Sequence, residues 1–123
     1  MTQVTQSPTP DGRQYDYPKA KIYSVLGDTE HRIILRVLAD ADEPLSLEEL
    51  TRATLLDEEF DREISASVLR GLMLDIFLPV LKSADVIEAD TGYNKIGPGA
   101  HLEAYLEIAT AVDELYDRHF GGR

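Results

Sequence analysis

Apolar positions repeat with helical spacing in four stretches of the chain and alternate over a short length in one. Ile33, Ile34, Val37 and Leu38 form the first stripe, with Asp28 placed to cap it and Glu30 favouring its positive start. Asp42-Glu43-Pro44 stops it, so the pattern predicts a helix over about residues 29–40. Ser46 followed by Glu49 is a capping box, with Leu47 and Leu50 as an apolar edge, and predicts a short helix over 46–54. Leu45, in a Pro-Leu-Ser step, suits a brief extended segment, and "LLDEEFDREIS" reads as an acidic connection.

The third stretch, over about 64–84, is the least ordinary. "SVLRGLMLDIFLPVLKSA" carries only Arg70, Asp75 and Lys82 as charges, and Gly71 weakens it while Pro79 kinks it. Its apolar residues cannot all lie on one stripe, and a helix apolar on all sides is buried on all sides. Leu72 and Ile76 are therefore expected to face a partner or a folded-back helix. Val86–Ala89 then reads as a strand, Asp90-Thr91-Gly92 as a turn, and Tyr93–Ile96 as the returning strand. Gly97-Pro98-Gly99 reads as a hinge. The last helix aligns Leu102, Tyr105, Leu106, Ala109, Val112, Leu115 and Tyr116, a face for the domain's own core or for a twin helix in a dimer. The expected fold is mainly α with a small β hairpin. Its parts are a disordered arm at 1–18, a helix and hairpin domain at 19–97 and a terminal helix at 98–120.

Charge changes the picture. The net charge is −11, with four lysines among 23 acidic residues. Such a balance disfavours non-specific attraction to nucleic acid or anionic membranes. It also fits a molar-salt cytoplasm, where a Debye length of about 3 Å screens self-repulsion. The absence of cysteine excludes disulfides, Cys-based zinc sites and thiol catalysis. No apolar run spans a bilayer, and the N-terminus lacks the pattern of a signal peptide, so a cytoplasmic protein is expected.

The order helix, strand, helix, helix, strand, turn, strand, helix is that of a winged helix-turn-helix. "VLGDTEHRIILRVLADADEPLSLEELTRAT" resembles the opening of the ArsR-like winged-helix regulators, with "LGD-x-x-R-x-x-I-L-x-x-L" before a capped "S-x-x-E-L". "FLPVLKSADVIEAD" is similar to the "HLPKLEEAGVIEYD" pattern of a haloarchaeal branch, and "IGPGAHLEAYLEIA" resembles its hinge and last helix. The resemblance covers about residues 22–112. It implies a winged-helix fold with an extra C-terminal helix, a transcription-regulator role, double-stranded DNA as partner and a homodimer formed through the terminal helix.

It further implies that the third helix enters the major groove while the wing touches backbone or minor groove. Leu72, Asp75, Ile76 and Pro79 then fall near the DNA-facing stripe, and Phe77 and Val80 stand where the family often has His and Lys. The polar candidates for DNA are Arg62, Ser65, Ser67, Arg70 and Lys82 on and before the third helix, and Tyr93, Asn94 and Lys95 on the wing. The plainer alternative is that Arg62, Arg70 and Lys82 pair with Asp57, Glu58, Glu59 and Asp85. A second functional expectation is a winged-helix adaptor that binds protein through the third helix and does not touch DNA. His31, His101 and His119 are scattered, and no hydrolase, zinc or phosphate-loop motif is present, so neither an enzyme nor a metal or cofactor site is expected.

Overall fold

In the computed structural model, which describes residues 17–121, the chain runs α1 (Lys19–Leu26), α2 (Thr29–Asp40), α3 (Leu47–Leu55), α4 (Ala66–Leu72), α5 (Leu78–Ser83), β1 (Ile87–Ala89), β2 (Ile96–Pro98) and α6 (Leu102–Tyr116). π-Helical turns join α4 to α5 (Met73–Phe77) and continue α6 (Asp117–Gly121). The protein is mainly helical with one two-stranded antiparallel hairpin.

The helix starts follow their caps. Asp28 accepts from the Glu30 and His31 amides at the start of α2. Ser46 and Glu49 close both halves of the capping box on α3. Ser65 accepts from the Val68 amide and sets the start of α4 at residue 66, two positions after the expected one. α1 was not expected as a helix. Ile22, Val25 and Leu26 do repeat at helical spacing, but within a polar setting, and Val25 is fully buried. The expected arm at 1–18 lies outside the described residues except for Tyr17 and Pro18. Tyr17 belongs to the packed body: its hydroxyl donates to the Ala84 carbonyl at 2.6 Å and lies 2.7 Å from the Tyr105 hydroxyl.

Just before Pro79, where a kink is expected, the chain makes a π turn. Pro79 has no amide hydrogen and its ring crowds the carbonyl four residues earlier. The chain widens just before it, and the Leu78 amide reaches back to the Met73 carbonyl. α4, the π turn and α5 thus form one continuous rod.

The hairpin differs from the expected one. Its return strand is Ile96–Pro98, not Tyr93–Ile96, with Ile87 opposite Pro98 and Ala89 opposite Ile96. The Asp90 carboxylate accepts from the Asn94 and Lys95 amides at 2.8 and 3.1 Å, and Tyr93 takes a left-handed φ of 57°. Those bonds coil residues 90–95 into the loop and delay pairing. Gly97 and Pro98 are consequently strand residues and not a hinge. Leu45 bridges Ile96 by two backbone hydrogen bonds of 2.9 and 2.7 Å, tying the segment between α2 and α3 to the hairpin.

One core gathers all the elements. It holds Val25, Ile34, Leu35 and Leu38, Leu47 and Leu50, then Leu69, Met73, Phe77, Leu78 and Leu81 of the rod. Val86, Ile87 and Ile96 of the hairpin close it together with Leu102 and Tyr105 of α6. No helix among the described residues is long and apolar enough to cross a membrane.

Candidate functional site

The connection before the rod is anchored by charge. Arg62 Nε lies 3.0 Å from Glu30 Oε2, and Glu30 is buried at the start of α2. Burial raises the Glu30 pKa, and its side-chain hydrogen bond with Asp28 adds to the rise. Burial pulls Asp28 the same way, but hydrogen bonds from the Glu30 side chain and the Glu30 and His31 amides outweigh it and leave Asp28 below its usual range. Arg62 thus pairs with Glu30, and not with the acidic residues next to it in sequence. The exposed Ser65 hydroxyl accepts from the Val68 amide at 3.1 Å.

Beyond this anchor, α3 and α4 border a groove of about 370 Å³ lined by Glu48, Thr51, Arg52, Leu55, Ala66, Ser67 and Arg70. Arg70 Nε donates to Glu48 Oε2 at 3.1 Å across it. The expected acidic neighbours are elsewhere: Asp57 and Glu59 both meet Arg36 of α2, at 3.2 and 3.5 Å. Ser67 stays exposed on the groove. Arg52 joins Ser67 and Arg70 there and was not anticipated. Its signal was weak, since it is a single cation in the last turn of a capped helix and only the tertiary packing of α3 on α4 places it beside Arg70.

The wing comes down on the far end of the rod. Lys82 Nζ sits 5.6 Å from the centre of the Tyr93 ring, and the Tyr93 carbonyl accepts from the Leu47 amide at 3.0 Å. Asn94 and Lys95 are exposed, with their amides held by Asp90. The eight expected polar residues thus fall into three places: Arg62 and Ser65 on the anchor, Ser67 and Arg70 on the groove, and Lys82, Tyr93, Asn94 and Lys95 at the wing.

Along the rod's outer side, Val68 and Ile76 are 51% and 48% exposed, and Leu72 between them is half-buried against the core. Asp75 and Pro79 are exposed on the same outer side. The expected stripe on α6 divides. Leu102 and Tyr105 are buried in the protein's own core and have no surface left for a twin helix. Leu106 and Ala109 are half-buried, lining a cleft with Leu26 and Leu35. Val112, Leu115 and Tyr116 are exposed, as are Ile108 and Phe120, which the expected stripe omitted. The Tyr116 and Phe120 rings lie 5.6 Å apart.

His31 and His101 each pack against an aromatic ring. His31 is buried, its Nδ1 donating to the Val25 carbonyl at 3.2 Å and its ring edge-on to Phe77. His101 precedes α6 with its ring centre 4.9 Å from that of Tyr17. Among the described residues no three His, Asp or Glu side chains are grouped as metal ligands. No family model, curated protein or solved structure matches the chain.

Proposed function

We propose that the chain is a winged helix-turn-helix transcription regulator that binds double-stranded DNA as a homodimer. The observation that carries this reading is the tie between Leu45 and Ile96, because it adds the short strand between the first two helices of the motif to the hairpin after the third. α2, α3 and the α4–α5 rod then act as the three helices and β1–β2 as the wing. The sequence resemblance to ArsR-like regulators supports the same assignment. DNA is met by the groove and start of the rod through Arg52, Ser67 and Arg70, and by the wing through Asn94 and Lys95. The exposed end of α6, from Ile108 to Phe120, serves the second copy.

The exposed Val68–Leu72–Ile76 side favours a second reading, an adaptor that docks a protein on the rod. Fluorescence anisotropy with random and genomic duplexes, run from low to molar potassium chloride, separates the two. The regulator binds duplex with an affinity that falls as salt rises, and Arg70→Ala and Lys95→Ala weaken it. Light scattering gives twice the monomer mass, returning to the monomer on Leu115→Glu. Absence of duplex binding at every salt sinks the first reading. A partner complex lost on Ile76→Glu, with the fold intact, then establishes the second.

A further inference from the structure

The α3–α4 groove differs in charge from two other clefts among the described residues. Arg52 and Arg70 face one carboxylate there, Glu48. The cleft beneath α6 sets Arg32 and Arg36 against Glu59 and Asp113, and the wing cleft sets Lys95 against Glu88 and Asp90. The groove is thus the one of the three with a cationic lining, and Glu48 reduces it. We propose that Glu48 is a built-in competitor for the nucleic-acid phosphate at Arg70, holding the guanidinium until a DNA phosphodiester displaces it. This inference rests on the regulator reading above.

The geometry suits an exchange. Arg70 gives Glu48 a single N–H, from Nε, at 3.1 Å. A guanidinium has five N–H donors in a fixed fork, so the remaining ones can meet a phosphate before the carboxylate has left. Both side chains are half or more exposed, so water replaces either partner at little cost. Glu48 is also firmly ionised: backbone hydrogen bonding at the start of α3, then the bond from Arg70, hold its pKa below the usual carboxylate range. The competition therefore persists through the neutral range. Glu48 is not the capping-box residue, which is Glu49, so its replacement keeps both hydrogen bonds of that box.

The test is a double-mutant cycle on the full chain, read by anisotropy with a fluorescent duplex at low salt and again at molar potassium chloride. Glu48→Gln is expected to raise duplex affinity about three- to five-fold at low salt, the range a released surface ion pair supplies. The gain shrinks toward none at molar salt, where the pair is already screened. In the Arg70→Ala background the same Glu48→Gln change gives no more than the small gain expected from one fewer negative charge. Equal gains in both backgrounds overturn the proposal, because Glu48 then acts only through overall charge. Wild-type binding with no gain on Glu48→Gln also overturns it, leaving the regulator reading in place. If none of the four proteins binds duplex at either salt, both fall together.

Discussion

The α4–α5 rod and α6 each carry more apolar surface than one core can absorb, and they divide it in different directions. The rod is split across its width. Leu69, Met73, Phe77, Leu78 and Leu81 are buried along its whole length, while Val68 and Ile76 face out. α6 is split along its length: Leu102 and Tyr105 are buried at its start, and every residue past Ala109 is exposed. A helix divided across its width stays fixed to the core whatever its outer face meets. One divided along its length has an end that none of the other described residues covers. The rod is thus built to present a surface at a set angle, and α6 to extend a surface away from the body.

The largest effects should come from testing where those dividing lines run. Met73→Ala removes a fully buried side chain from the middle of the rod, and Leu102→Ala a buried one from the start of α6. Each is expected to cost about 2–5 kcal/mol in urea or thermal unfolding. Ile76→Ala and Val112→Ala, three positions and ten positions along the same helical runs, should each change stability by about 0.5 kcal/mol or less in the monomer. If Val112→Ala costs as much as Leu102→Ala under conditions where the protein is monomeric, α6 is not divided along its length. If Ile76→Ala costs as much as Met73→Ala, the rod is buried on both sides.

The boundary on α6 can be drawn more finely at Tyr105. The Tyr17 hydroxyl spends its proton on the Ala84 carbonyl, so Tyr105 must donate the bond between the two hydroxyls. Burial first, and then this bond to Tyr17, raise the Tyr105 pKa well above the usual phenol range. Tyr105→Phe keeps the ring and removes the donor, and should cost about 1 kcal/mol in equilibrium unfolding. An unchanged stability would mean that the start of α6 is held by packing alone.

Much of this division was legible in the chain, though not its pairings. The capped starts of α2 and α3 are local events, and Asp28, Ser46 and Glu49 act on amides two or three residues away. The excess of apolar residues over 67–84 also announced that one core could not take the rod's whole surface. Three things were not legible, each for a tertiary reason. Arg70 and Arg62 look for carboxylates close in sequence, but packing brings them Glu48 and Glu30, 22 and 32 residues away. Gly92 marked a tight turn, yet the Asp90 side chain captures two amides further on and pulls the loop out to Lys95. On α6, one continuous stripe gave no sign of where the core would stop, because that depends on how far α1 and α2 reach beneath it. Arg52 gained significance for the same reason, through the groove that α3 makes with α4.

The two helices also end differently, and the smallest expected effect lies there. α5 closes sharply: the Asp85 amide bonds the Lys82 carbonyl at 3.0 Å and the Val86 amide the Leu81 carbonyl at 3.2 Å. This paired closure places Asp85 at a φ of 66°, the left-handed conformation in which glycine is favoured. The turn is needed because it lays the backbone of 85–87 against Gly99, where a Cβ would come within 2.6 Å of the Asp85 carbonyl oxygen. α6 has no such closure and runs on into the π turn at Asp117–Gly121. Asp85→Gly should therefore stabilise the protein by about 0.5–1 kcal/mol, the relief of the left-handed backbone exceeding the added freedom of the unfolded chain. For a domain of this size that is a rise of about 2–6 °C in melting temperature. Removing a carboxylate from so acidic a protein could raise stability by itself, so Asp85→Ala is the control. Alanine lacks the tolerance that Asp has for the left-handed region and should lower the melting temperature. A rise for both variants would assign the gain to charge, and would remove the sharp closure of α5 as the reason its end is fixed while that of α6 runs free.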